Sequence, residues 1–208
     1  MTHIYLVRHG ETDWNLRHRI QGSTDIPLND AGRAQAARAG RLLARRSWDA
    51  IYSSPLSRAM ETATIISSTV GLGQPLAVDA LVERGYGDAE GMTDHEIRSR
   101  FPGSMPVPGR EPRGEVAARV MPALVSLAEH HVGEHLIVAT HGAVIRTVLL
   151  SLKAPVRAGI AITNGSIHSF RHARGMLELI EFDDPIEIAS IVAGDEDIVQ
   201  QNPLEKRE

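Results

Sequence analysis

Short apolar runs that stop beside a histidine occur twice in this chain of 208 residues, and they restrict the fold more than any other feature. Ile4-Tyr5-Leu6-Val7 ends at Arg8-His9-Gly10, and Leu136-Ile137-Val138-Ala139 ends at Thr140-His141-Gly142. Successive side chains on a strand point to opposite faces, so an unbroken apolar run of this length suits a strand covered on both sides. Such strands belong to parallel sheets whose crossover helices pack on each face. The pattern supplies those helices. One is expected over residues 30–46, capped by Asn29 or Asp30, with Ala34, Ala37, Leu42 and Leu43 available for a buried face. Another is expected over 143–152, directly after the second run.

Between the two runs, residues 50–52 read as a further strand. Ser54-Pro55 then offers an N-cap followed by proline at the first helical position, opening a helix toward Gly71 with Arg58 near its start. A third strand is expected within 74–82, a short helix over 93–101, and a loop over 102–112 in the place of a lid. From 111 to 131, Val116, Val120, Leu124 and Leu127 recur at helical spacing, and Pro122 should bend or break that helix by removing one hydrogen bond. Residues 160–170 and 176–182 read as an antiparallel hairpin. The expected fold is α/β: a three-layer α/β/α sandwich around a mostly parallel sheet, finished by a C-terminal antiparallel hairpin. One domain is expected over 1–185, followed by a tail over 186–208 whose last residues should be disordered.

Composition narrows the partners. Lys and Arg number 22 against 26 Asp and Glu, so the net charge of −4 gives no long-range attraction to nucleic acid or to acidic membranes. Any anion must be held by a local cluster of Arg and His. The absence of cysteine removes disulfides, thiolate nucleophiles and thiolate metal sites, and favours the cytoplasm. Residues 1–7 lead straight into Arg8 without the features of a secretory signal or a membrane span. A soluble cytoplasmic protein acting on a small molecule is expected, and a homodimer is compatible with the composition.

In open parallel sheets, ligands bind beyond the carboxyl ends of the strands, where loops and helix N-termini converge. Three polar clusters meet that condition: Arg8-His9, Ser53-Ser54 with Arg58, and His141-Gly142. Two arginines and two histidines beside a helix N-terminus suit a phosphate dianion, whose oxygens take charge-assisted and bidentate hydrogen bonds.

The segment Arg8-His9-Gly10-Glu11-Thr12-Asp13-Trp14-Asn15 resembles the signature of the histidine phosphatase (phosphoglycerate mutase-like) superfamily. The resemblance continues through Gln21-Gly22, Pro27-Leu28, Ser53-Ser54-Pro55-Leu56-Ser57-Arg58-Ala59, Glu83 with Gly87 and Glu90-Gly91, and Thr140-His141-Gly142. It implies that His9 is a nucleophile that becomes phosphorylated, while Arg8, Arg58 and His141 surround the equatorial oxygens. Glu83 matches the family's proton donor, and Asn15, Gln21, Gly22 and Gly142 match positions around the phosphate. No metal or cofactor is implied.

Within that family, the resemblance points to a phosphatase acting on a small phosphate monoester. A cofactor-dependent phosphoglycerate mutase is the alternative, because Glu83-Arg84-Gly85-Tyr86-Gly87 is similar to the mutase's Glu-Arg-His-Tyr-Gly. Against a mutase, the 92–110 segment is short, and Ala143-Val144 stands where mutases have Asn-Ser. A non-catalytic phosphate-recognition protein is a second alternative, and a metal hydrolase using His and Asp a third. Ala89 and Arg110-Glu111-Pro112-Arg113 depart from the common phosphatase pattern, so Arg110 or Arg113 could recognise a second anionic group. Read singly, Glu83 could be a surface partner of Arg84. His130, His131 and His135 read as surface residues near a helix end, His168 and His172 as facing solvent, and Trp14 and Trp48 as packing residues.

Overall fold

A computed structural model describes residues 1–155 and 160–184. Strand β1 (Thr2–Arg8) leads through a single helical turn, α1 (Asp13–Leu16), to α2 (Asp30–Leu43), β2 (Ala50–Ser53) and α3 (Ser57–Val70). Then come β3 (Leu76–Ala77), α4 (Asp94–Arg100), α5 (Arg113–His130), β4 (His135–Thr140), α6 (Gly142–Ser151) and the hairpin of β5 (Ile167–Ala173) and β6 (Met176–Glu181). The sheet order is β3-β2-β4-β1-β5-β6. The first four strands pair in parallel, and β5 and β6 join antiparallel. This is the expected sandwich.

The period of two in the apolar runs divides the core. Ile4, Leu6, Leu136 and Val138 pack with Val116, Val120 and Leu124 of α5 and Val144 and Val148 of α6. Tyr5, Val7, Ile137 and Ala139 face the other way, with Ala39 and Leu43 of α2 and Ala63 and Ile66 of α3. Truncating one such residue, for example Ile137→Ala, costs about 2–5 kcal/mol, a large share of a domain's stability.

Several expectations need correction. In α2 the buried positions are Gly32, Ala36, Ala39, Gly40 and Leu43, with Ala34 exposed. The glycines mark the packed face: a Cβ on Gly32 would lie 2.1 Å from the Glu11 carbonyl oxygen, and one on Gly40 would lie 2.9 Å from Thr69 Oγ1. A Cβ on Gly10 would lie 2.2 Å from the Gly32 carbonyl oxygen.

The third strand shrinks to two residues, and α5 runs through Pro122 unbroken. One lost hydrogen bond is outweighed there by the apolar face that α5 buries on the sheet. The hairpin begins at Ile167, not at residue 160. His168 and His172 are buried, not solvent-facing. They lie on β5, which is flanked by β1 and β6 and so is an interior strand. The expected tail over 186–208 lies outside the described residues.

Candidate active site

Parallel pairing of β1 with β4, in the register Arg8↔Thr140, delivers the next residues of both strands to one place. His9 and His141 therefore stand side by side, their ring centroids 5.2 Å apart. The β2 strand pairs with β4 through Ser53↔Ala139, which brings Ser54 and the start of α3 alongside.

His9 is buried, and its Nδ1 lies 2.6 Å from the Gly10 carbonyl oxygen. A carbonyl can only accept, so Nδ1 carries the proton and Nε2 keeps its lone pair. Burial, followed by the charges of Arg58 and Arg8, holds the His9 pKa well below 6.5 against the opposing Gly10 hydrogen bond. The ring is neutral at neutral pH. His141 is held neutral in the same way, by burial first and then by Arg58, His9 and Arg8. Its Nε2 lies 2.7 Å from Ser54 Oγ.

Arg58 is fully buried in the first turn of α3. Its Nη1 and Nη2 donate to the carbonyls of Thr24 and Gly22, both at 2.8 Å. Burial pulls its pKa down to about 10, while the carboxylates of Glu83, Asp25 and Glu90 favour its charge. A cation at a helix N-terminus opposes the dipole, and these carboxylates supply the compensation. Ser54 is not the cap of α3. The first helical N–H, from Ser57, donates to Asp25 Oδ1 at 2.8 Å across 32 residues of chain.

The loop that holds Arg58 is itself clamped. Gly22 has φ +57°, and a Cβ there would fall 2.1 Å from Glu90 Oε1. The Glu90 carboxylate accepts from the backbone N–H groups of Ser23, Thr24 and Tyr86 at 3.0, 2.9 and 2.9 Å. Burial pushes the Glu90 pKa up, but the hydrogen bonds from Thr24, Tyr86 and Ser23 together outweigh it and hold the carboxyl below its usual range.

Arg8 reaches across to the Ile162 carbonyl, while its backbone bonds to Ser166 and Gly165. Glu83 is only 7% exposed. Its two oxygens face the backbone N–H of Arg84 at 2.9 Å and of Ala143, in α6, at 3.3 Å. The Arg84 guanidinium donates to the Glu111 carbonyl and lies 5.5 Å from the Tyr86 ring centre. With so little exposure, Glu83 is a buried residue and not a surface one.

A single pocket wall collects Arg8, His9, Asn15, Gln21, Gly22, Arg58 and Glu83, with Arg19, Ile20 and Tyr86. His141 stands beside His9, and Gly142 opens α6 where a Cβ would approach Arg8 Nε to 3.4 Å. All nine candidates from the sequence thus converge. Of the two arginines considered for a second anion, Arg110 lies 5.9 Å from the ring centre of Tyr86, which lines the pocket. Among the described residues, no group of three or more His, Asp or Glu is placed to hold a metal ion.

Sequence reasoning missed Asn164, whose Nδ2 donates to the His9 carbonyl at 2.9 Å and reaches Asn15 Oδ1 at 3.4 Å. Asn164-Gly165 is a turn signal inside a run read as strand, and weighing it would have exposed the segment. Sequence reasoning also assigned Ser54 to the wrong partner.

Two neutral imidazoles, two buried guanidinium groups and a carboxyl at the carboxyl end of a parallel sheet define an α/β protein equipped to take a phosphoryl group. The chain belongs to the histidine phosphatase superfamily, branch 1, whose family model matches residues 4–185. It is 42% identical over 153 residues to the uncharacterized phosphatase PhoE of Bacillus subtilis, covering 73% of this chain and 78% of that one. It is 36% identical over 174 residues to a 2,3-bisphosphoglycerate-dependent phosphoglycerate mutase of Azorhizobium caulinodans, covering 76% and 84%. Among solved structures, a mycobacterial glucosyl-3-phosphoglycerate phosphatase in complex with VO3 superposes with a TM-score of 0.78 at 29% identity, covering 87% of this chain and 98% of that one.

Proposed function

We propose that the protein is a phosphatase that hydrolyses a small phosphate monoester through a phosphohistidine at His9. The observation that carries this reading is the Nδ1 contact of His9 with the Gly10 carbonyl, which leaves a nucleophilic Nε2 on a neutral ring beside Arg8 and Arg58. In the first step Nε2 attacks phosphorus, and the ester oxygen departs with a proton from Glu83. In the second, water attacks the phosphohistidine, gives its proton to Glu83 and releases inorganic phosphate. Arg8, Arg58 and His141 stabilise the equatorial oxygens in both steps, the largest contribution in a reaction with little covalent work for the protein. Asn15, Gln21, Gly22 and Gly142 shape the wall around the phosphoryl group.

Rapid acid-free quenching during turnover tests the reading. Phosphate should be found on His9, labile in acid and stable in alkali, and phosphate on serine would sink the mechanism. A mutase reading is favoured by one observation, the buried Tyr86 at the pocket between Arg84 and Arg110. Conversion of 3-phosphoglycerate to 2-phosphoglycerate only in the presence of 2,3-bisphosphoglycerate would select it, and hydrolysis of phosphate esters with no such isomerisation when that cofactor is added would reject it.

A further inference from the structure

We propose that Ser54 is a positioning residue that fixes the tautomer of His141, so that this imidazole offers the phosphoryl oxygens an N–H at Nδ1 and not a lone pair. The inference rests on the phosphohistidine reading above and concerns the role of His141 within it.

Ser54 and His141 are both fully buried, and Ser54 Oγ lies 2.7 Å from Nε2. The serine is held from two sides. Its backbone N–H donates to the Ala139 carbonyl at 3.0 Å, and its hydroxyl oxygen accepts from the Leu56 N–H at 3.3 Å. A hydroxyl has one proton to place and two lone pairs. With Leu56 on one lone pair, the acceptor within reach of the proton among the described residues is His141 Nε2. A proton donated there requires a lone pair on Nε2, and a neutral ring then carries its own proton on Nδ1.

His141 Nδ1 is buried without a hydrogen-bond partner, on a ring that neighbours the His9 ring. A buried N–H in that condition is relieved by an anionic oxygen, whereas a lone pair there would repel one. His9 carries the same tautomer turned the other way, since the Gly10 carbonyl takes its Nδ1 proton and leaves Nε2 bare. One tautomer therefore serves two purposes. In His9 the unprotonated nitrogen is left for phosphorus, and in His141 the protonated one is left for oxygen. Ser54 and the Gly10 carbonyl, a donor and an acceptor, impose the difference.

The experiment uses the whole protein labelled with 15N-histidine, as wild type, Ser54→Ala and Ser54→Thr, with His141→Gln to assign the resonances. In the wild type, His141 Nδ1 should show the protonated and Nε2 the unprotonated nitrogen shift. Ser54→Ala should exchange or mix the two, and should weaken orthovanadate and inorganic phosphate binding and lower kcat by roughly 10- to 100-fold, the order expected when a buried polar group loses its partner. Ser54→Thr keeps the hydroxyl and should restore the tautomer.

A protonated Nε2 in the wild type overturns the proposal, as does a Ser54→Ala protein with unchanged shifts and unchanged vanadate affinity. If the alanine variant fails to fold, the wild-type shifts alone decide. Neither the shifts nor phosphate binding need turnover. A wild type with the expected tautomer but no phosphohistidine would therefore refute the functional reading and leave the role of Ser54 supported.

Discussion

Strands β1 and β4 carry a histidine pair at each end, and the two pairs behave differently. At the carboxyl end His9 and His141 are buried with their rings inclined at 61°, close enough to Arg8 and Arg58 to feel both charges. At the amino end His3 and His135, opposite each other in register, stack at 4.8 Å with an interplanar angle of 7°, and Trp48 meets His135 edge-on. The residue type and the strand pair are the same. Only the carboxyl end adds helix N-termini, buried guanidinium groups and a carbonyl that orients one ring. These partners set the His9–His141 pair apart, and the His3–His135 pair, without them, packs.

The comparison breaks most sharply at the nucleophile. His9→Ala should lower turnover by at least about 10⁴-fold and abolish phosphoenzyme, with circular dichroism unchanged. Retention of more than a trace of activity would demand another nucleophile. Glu83→Gln should come next, slowing alkyl phosphates by roughly 10²–10⁴-fold and activated aryl phosphates much less, since only the former need a proton as the bond breaks. Presteady-state kinetics on an aryl ester should show a burst in that variant, and equal slowing of both substrates without a burst would remove Glu83 from the chemistry. Arg58→Ala and His141→Ala should each cost about 10²–10³-fold and weaken vanadate binding, as expected for loss of one oxyanion donor. Normal vanadate affinity without Arg58 would show that its donors serve only the Gly22 and Thr24 carbonyls.

A smaller effect concerns acid stability. Burial, with help from the Arg8 charge, pulls buried His168 down to about 3. Its reference value in an unfolded chain is about 6.5, so the unfolded state binds more protons between these limits. The stability contributed by the neutral ring is therefore complete above the unfolded value and is lost as pH falls through that window. Urea unfolding as a function of pH should follow this slope, and His168→Gln should flatten it by about 1 kcal/mol per pH unit. An unaltered slope would mean that other groups govern acid unfolding. Least of all, His135→Ala should leave kcat within about twofold, because its ring packs on the structural end of the strands. A larger loss would erase the distinction between the two ends.

Much of this was legible in the sequence, for physical reasons that can be traced. The runs at 4–7 and 136–139 revealed buried parallel strands because a strand covered on both faces needs apolar residues at every position. The site followed because strand ends carry the polar clusters. What failed was non-local. Ser54 looked like a helix cap, yet Asp25 caps that helix from 32 residues away and Ser54 serves His141. Residues 160–166 looked like strand, yet Ile162, Asn164 and Gly165 turn their polar groups to Arg8 and His9. His168 looked solvent-facing because nothing local shows that β5 lies inside the sheet.

The loop bearing Gly22, Thr24 and Asp25 has a consequence for the order of events in folding. Its carbonyls seat Arg58 and its carboxylate starts the helix that carries Arg58, so one closure of the chain would complete both the wall of the pocket and the beginning of α3. Closing a loop of that length costs conformational entropy before any contact compensates for it. An intermediate with the central strands joined but this closure still open would already possess His9 and would lack its seated guanidinium. Phosphate would find little to hold in such a species and would draw the population toward the finished fold.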